Sequence, residues 1–457
     1  MVKQNEIRAR STPEHIRLSF SQNRPKQKIS ASQKNLDQLK TAIWVYFWLL
    51  IFEGALRKWV LPGLAAPLLI VRDPIAIYVL YKSYQTMVWK PNTYVFSIWI
   101  VTLIAFVTAL VVGHGSPVVA IYGARITLIH FPMIFVIGRV LDREDVVKIG
   151  FVMLWLTVGM TVLVAIQFFS PQSAFVNRGL AGDTAGSGFS GAAGFFRVPG
   201  TFSFTNGLSI FYGLAVAIIA FFWISTEEQR NKRLVLIIAT ISIFAAVPLS
   251  ISRTVMFEIA VSVAFLLAAA TKTPKLLSQL VTGIIGGFIL LLILSNFSFF
   301  QTATIAFTER FTGANETEGG LDGVFIDRFL GGMVGAITDT NSSFFGAGLG
   351  MGTNAGSQLL TGSAQFLISE GEWGRLIGEM GLILGMVMVV VRADIAVKLL
   401  IKGWKKVGQR NYLPWMLMSF GFLPLLQGQW AQPTALGFSI LSIGLSLAAM
   451  KEKKMGD

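Results

Sequence analysis

The residues with the clearest chemistry in this sequence are arginines set in apolar or glycine-rich surroundings. Arg197 lies in Phe195-Phe196-Arg197-Val198-Pro199-Gly200-Thr201-Phe202, shortly before Asn206. Arg253 closes the run Ser250-Ile251-Ser252-Arg253, which follows Pro248. Arg328 falls on the stripe Leu321, Val324, Phe325, Arg328, Phe329. That spacing is helical, so Arg328 is expected to point from a short loop helix into a polar cavity. A guanidinium is a planar fork that stays ionised when partly buried and matches the oxygens of phosphate or carboxylate. The implied chemistry is anion binding.

Carboxylates supply a second function. Glu372, Arg375 and Glu379 are spaced i, i+3 and i+7, on one face of a helix. Glu370 or Glu372, at a partly desolvated helix entrance, is a candidate base toward a sugar hydroxyl. The plainer alternative is that these acids favour the helix N-terminus electrostatically. Upstream, Gly346 to Asn354 form a glycine-rich turn, a weak phosphate-nest signal. Glu53 and Arg57 are four apart and form an expected ion pair, while Arg72-Asp73 and Arg125 interrupt apolar runs. Charges at such positions either line a pathway or site, or lock helices together as a structural network. Both readings stand for this group.

The elements that must position these residues follow from composition. The chain has 457 residues, 53% hydrophobic and only 14% charged, with a mean hydropathy of +0.64. A soluble protein carries roughly 25% charged residues, so this one is expected to be an all-α polytopic integral membrane protein. It has no cysteine, which excludes disulfides and a catalytic thiol. His15, His114 and His130 have no metal-ligand spacing, and no metal or cofactor is expected. Twelve spans are predicted: 41–59, 65–83, 92–112, 117–138, 149–169, 206–225, 234–250, 254–271, 277–297, 374–397, 411–427 and 434–450. Residues 1–40 read as a disordered basic cytoplasmic arm, 41–450 as the transmembrane domain and 451–457 as a cytoplasmic tail.

The net charge of +14 sorts by side. With both termini inside, every predicted inner loop is basic, which fits the positive-inside rule and needs no nucleic acid partner. That assignment counts Arg392 at the inner end of its span and places 28 of the 38 basic residues inside. The other ten are Arg57, Lys58, Arg72, Arg125, Arg178, Arg197, Arg253, Arg310, Arg328 and Arg375. Nine of these are arginine, against the orientation rule, which implies either an anionic ligand on the outer face or, for any single arginine, a salt bridge to loop acids such as Asp327, Glu370 and Glu379. Two large outer loops, 170–205 and 298–373, carry several of them and are expected to contain short helices.

The order of these features resembles the bacterial O-antigen polymerase and O-antigen ligase superfamily over roughly residues 149–390. The resembling features are Arg-x-x-Gly-x-Phe with an Asn in one outer loop, then Ser-x-Ser-Arg after a span. An Arg-bearing loop helix, a Gly-x-Gly-x-Gly turn and Glu-x-Gly-Leu follow. The resemblance implies a GT-C-like fold of about twelve helices in the cytoplasmic (inner) membrane, with the large loops on the periplasmic face. It implies transfer of glycan from an undecaprenyl-diphosphate-linked donor to an acceptor hydroxyl. Arg197, Arg253 and Arg328 would match the diphosphate-binding positions; Asn206, Arg375, Arg72 and Arg125 complete the candidate substrate contacts. Ligases carry a histidine where this chain has Glu370-Gly371-Glu372, which places it nearer the exopolysaccharide polymerases.

The expected function is therefore polymerisation of lipid-linked oligosaccharide repeat units, with membrane lipid and other polysaccharide assembly proteins as partners. Arg253 and Arg328 would stabilise the leaving diphosphate, and Glu372 or Glu370 would take the acceptor proton. Transfer of glycan to a lipid or protein acceptor, and transport of a lipid-linked glycan, remain open alternatives.

Overall fold

The computed structural model describes residues 31–225, 232–317, 344–363, 367–369 and 371–451, with isolated positions between 334 and 338. Arg328 and Glu370 lie outside the described residues. The first half of the chain forms α1 (Ala31–Ala55), α2 (Asp73–Gln85), α3 (Thr93–Val111), α4 (Pro117–Arg125), α5 (Phe131–Val140), α6 (Arg143–Phe169) and α7 (Thr205–Ile224). Then follow α8 (Arg233–Leu249), α9 (Arg253–Lys272), α10 (Lys275–Leu294), α11 (Ser298–Thr317) and α12 (Asn354–Thr361). The chain closes with α13 (Glu372–Val407), α14 (Leu413–Gln427) and α15 (Pro433–Ala449). Between α6 and α7 the loop holds two short 3-10 helices, Phe175–Asn177 and Leu180–Gly182, as expected, and also an antiparallel hairpin, β1 (Phe189–Ala192) and β2 (Phe195–Arg197).

Among the described residues, eight helical stretches are long and apolar enough to cross a membrane, and α8, α14 and α15 are shorter apolar helices. The chain is an all-α multi-pass membrane protein, with one small β-hairpin among the described residues. The second expected span, 65–83, is broken up. Pro62 and Pro67 start short 3-10 turns, and only Asp73–Gln85 is α-helical. Proline lacks the N–H that a helix interior needs, so this run cannot form one continuous rod. Conversely, α1 starts at Ala31, inside the arm expected to be disordered to residue 40. Gln33 donates to Asp37 one turn on, and Lys40 pairs with Asp142, the N-cap of α6.

The core is built around α7, which is buried along nearly its whole length between α6, α8, α9, α14 and α15. Its Phe211, Tyr212, Leu214, Phe221 and Phe222 are almost fully enclosed. By contrast α10 exposes Ile284, Ile285, Phe288 and Ile289, a surface suited to lipid rather than water.

Helix lengths then decide where polar groups meet. At about 1.5 Å per residue, α6 is ~40 Å long, whereas α14 and α15 reach only ~22 to 25 Å. The tip of the α14–α15 hairpin therefore stops inside the protein, and Trp430 in that tip is 1% exposed. Three groups converge on it. Arg72 donates to Pro433 O, Asn206 donates to Gln432 Oε1, and Arg392 donates to the carbonyls of Leu425 and Gly428.

Candidate functional site

Two kinds of charged assembly occur at this level, and their geometry separates the predicted residues. The first kind is self-neutralised. Widened π-helical turns at Leu56–Val60 and Ile126–His130 re-aim the charged residues beside them. Arg72 Nε reaches Glu53 Oε2 at 3.0 Å, and Arg57 lies 3.5 Å from Glu53 Oε1. Arg125 Nη1 binds both oxygens of Asp73 at 2.9 and 3.0 Å, and His130 Nε2 meets Asp73 Oδ1 at 2.8 Å. All of these residues are buried. The group ties α1, α2 and α4 together, as the network reading of these charges requires. Arg72 and Arg125 thus have acidic partners within the fold.

The second self-neutralised assembly surrounds Glu372. Gly381 has φ 79° and ψ 169°, so α13 reverses there instead of continuing straight. As a consequence Glu372 and Arg392 touch at 2.6 Å. On one straight helix they would be ~30 Å apart. The expectation that Arg392 marks the inner end of a span is therefore corrected; it is folded into the protein under Trp430, 3.8 Å from the ring. Glu372 Oε1 accepts from Arg375 Nη2 and Arg392 Nη1, while Oε2 accepts from Arg375 Nε and Trp430 N. Arg375 Nη1 also holds Glu379 Oε2 at 2.7 Å.

A carboxylate has about four lone-pair positions, and all four of Glu372 are in use. This arrangement leaves Glu372 no free position for an acceptor proton and makes it a bridge between two arginines. Arg375 is likewise committed to acids. The glycine-rich turn has a structural use as well. Its N–H groups at Ala347, Gly348 and Gly352 donate to Gly378 O, Glu379 O and Glu379 Oε1, which caps the first arm of α13. Those donors are not available as a phosphate nest.

The second kind of assembly lines a cavity. A polar cavity of about 100 Å³ is lined by Arg197, Thr205, Asn206, Leu208, Ser209, Ser250, Ser252 and Thr254. It brings together two of the predicted residues, Arg197 and Asn206, and the turn that carries a third, Arg253. The hairpin supplies Arg197: it alternates with exposed Phe196 along β2, which turns its side chain to the opposite face. Helix α7 supplies Thr205, Asn206 and Ser209 from its first two turns. The sharp α8–α9 turn, with Ile251 at φ 47°, supplies Ser250 and Ser252 and starts α9 at Arg253.

Two helix N-termini therefore face one cavity, and neither is closed by a side-chain cap. Elsewhere in the protein Asn92, Ser116 and Asp142 cap α3, α4 and α6. Ser252, at the capping position of α9, hydrogen-bonds Ser209 Oγ at 2.7 Å instead. Uncapped first-turn N–H groups and the positive end of the helix dipole attract anions. With an arginine and several hydroxyls, the cavity can hold one phosphate-sized group; a saccharide is too large for it. Another void, between α6, α7, α14 and α15, is lined only by apolar residues such as Val146, Ile218, Phe222 and Leu417.

Inspection of the sequence missed Ser209, Ser252, Thr254, Arg392 and a buried acid on α9, Glu258. Arg392 and Glu258 carried one available signal, a charge inside an otherwise apolar helix. No family model, no curated protein and no solved structure matches this chain.

Proposed function

We propose that this chain is a membrane glycosyltransferase that joins undecaprenyl-diphosphate-linked oligosaccharide repeat units into a polysaccharide. The reaction would take place on the outer face of the cytoplasmic membrane. The observation that carries this reading is the cavity at the uncapped N-termini of α7 and α9, with Arg197 on its wall. In the proposed topology the eight long spans, the three shorter helices and α2 make twelve crossings in a GT-C-like bundle. Both termini are then cytoplasmic, and the cavity opens toward the periplasmic side.

The donor diphosphate would be held by Arg197, Arg253 and the first-turn N–H groups of α7 and α9. Arg328, outside the described residues, would close the site from the second outer loop. As the anomeric C–O bond breaks, negative charge grows on the departing diphosphate. Fixed donors aimed at that charge lower the barrier without reorganising. A single displacement would invert the anomeric carbon. Because Glu372 is fully engaged, the proton acceptor would be Glu370.

The test is an assay of purified protein with a lipid-diphosphate-linked oligosaccharide in detergent. A ladder of products is expected; a single product would mean ligation to one acceptor. Elongated product requires an enzyme, because transport has no meaning without two compartments; absence of any product would reject the enzyme reading. Arg253→Ala and Arg328→Ala should each abolish the ladder while the protein stays in the membrane. Arg197→Ala should weaken binding of undecaprenyl diphosphate by roughly thirty-fold, the equivalent of about 2 kcal/mol for a charged hydrogen bond.

A further inference from the structure

Lys58 is the single lysine among the ten basic residues that the orientation rule leaves over, and none of the roles above uses it. It stands in the widened turn Leu56–Val60 at the end of α1 and is fully buried. Its Nζ donates to Gly200 O at 2.7 Å and lies 4.6 Å from the ring of Trp59. Among the described residues no acid pairs with it, while Glu53 and Asp73 serve Arg57, Arg72 and Arg125. A buried ammonium without a counter-charge is costly. The carbonyl that Lys58 holds gives the reason for its place.

Gly200 belongs to a short strap, residues 198–203, that joins two walls of the polar cavity. Arg197 ends β2 just before it, and Thr205 and Asn206 open α7 just after it. The strap is irregular yet buried from Val198 to Phe202. Buried backbone outside helices and sheets needs partners from side chains. Gln167 on α6 supplies two: its Oε1 accepts from Gly200 N at 2.9 Å, and its Nε2 donates to Gly200 O at 3.3 Å. Lys58 donates to the same carbonyl from the end of α1. Thr201 Oγ1 donates to Ile51 O at 2.7 Å, and Arg57 Nη1 donates to Ser203 Oγ at 3.1 Å. Gly54 lets α1 come this close, since a Cβ there would meet the backbone of Thr201, Phe202 and Ser203 at 2.5 Å.

We infer that Lys58, together with Gln167, is a positioning residue of the cavity: the two fix the carbonyl of Gly200 and thereby set where Arg197 points. This assignment rests on the reading of the cavity as the seat of the lipid-linked diphosphate. Gly200 is three residues from Arg197, a reach of at most about 11 Å. Among the described residues it is the first position after β2 at which side chains clamp the backbone. The start of α7 has holds of its own, from Asn206 to Gln432 and from Ser209 to Ser252. Arg197 instead hangs on a hairpin of two strands, irregular between Ser190 and Ala192. A lone two-stranded hairpin is marginally stable, so loss of the clamp is felt at Arg197 rather than at α7.

The experiment measures binding of undecaprenyl diphosphate to the purified full chain in detergent. It compares wild type, Lys58→Met, Gln167→Leu, Arg197→Ala and the two double variants that combine each clamp change with Arg197→Ala. Methionine keeps most of the length and volume of lysine and removes the donor. With Arg197 present, Lys58→Met and Gln167→Leu are each expected to weaken binding about tenfold, and in the Arg197→Ala background by less than about twofold. Such non-additivity marks residues that act through Arg197. Binding by Lys58→Met within twofold of wild type overturns the assignment. So does a loss that persists in full in the Arg197→Ala background, which would make Lys58 a source of charge instead of a holder of the strap. If Lys58→Met does not fold, Gln167→Leu decides by the same cycle. A wild-type protein that binds no undecaprenyl diphosphate, or an Arg197→Ala variant that binds it as well as wild type, rejects the parent reading instead.

Discussion

At the scale of single residues, the structure gives three of the candidate arginines acidic partners and places Arg197 on the wall of a polar cavity. Arg72, Arg125 and Arg375 were equal to Arg197 as sequence candidates, yet each lies within 3.0 Å of a carboxylate. Nothing in the spacing of Arg72 and Glu53, nineteen positions apart, announces that pair. The Glu372–Arg392 contact was hidden for the same reason. It predicts a stability effect: Glu372→Gln leaves Arg392 and Arg375 short of a counter-charge in a buried site. The expected cost is about 3–5 kcal/mol, seen as a lowered melting temperature in detergent. Combining Glu372→Gln with Arg392→Met should recover part of that loss, because the unpaired charge goes with it. Additive losses in the double variant would mean that the two side chains are not coupled.

At the scale of elements, the site depends on where helices stop. The Ser-Ile-Ser-Arg turn and the stretch before Asn206 were legible as termini, and the structure brings the two termini to one cavity. The reversal within α13 was not legible, because its apolar run reads as one span from 374 to 397. Gly381 decides it, through a backbone conformation (φ 79°, ψ 169°) that is essentially reserved for glycine. A side chain there would also run into the carbonyl of Phe344. Gly381→Ala should therefore cost at least about 1–3 kcal/mol, with a melting curve in detergent as the measure. Gly194 also has a positive φ, but a Cβ there meets open space, so Gly194→Ala should cost less. Equal melting temperatures for the two variants would contradict the reversal.

At the scale of the whole molecule, the proposed orientation can be read directly because the chain has no cysteine of its own. A single cysteine at Gly194 should react with a membrane-impermeant maleimide added outside intact cells. One at Lys148 or Lys398 should react only after permeabilisation. The opposite pattern would place the cavity in the cytoplasm and remove the lipid-linked donor from its reach. The sequence by itself determined the solvent, the helical class and most of the spans, because a bilayer demands long apolar helices and basic inner loops wherever the chain goes. It also exposed the arginines that this demand leaves over. Only the tertiary structure decided which of those charges are neutralised, since an ion pair depends on distances between helices far apart in the chain. The short α14–α15 hairpin, the kink at Gly381 and the meeting of α7 with α9 set those distances, and they bring Arg197 and Asn206, which no obvious pattern in the sequence ties to the α8–α9 turn, to the wall of one polar cavity.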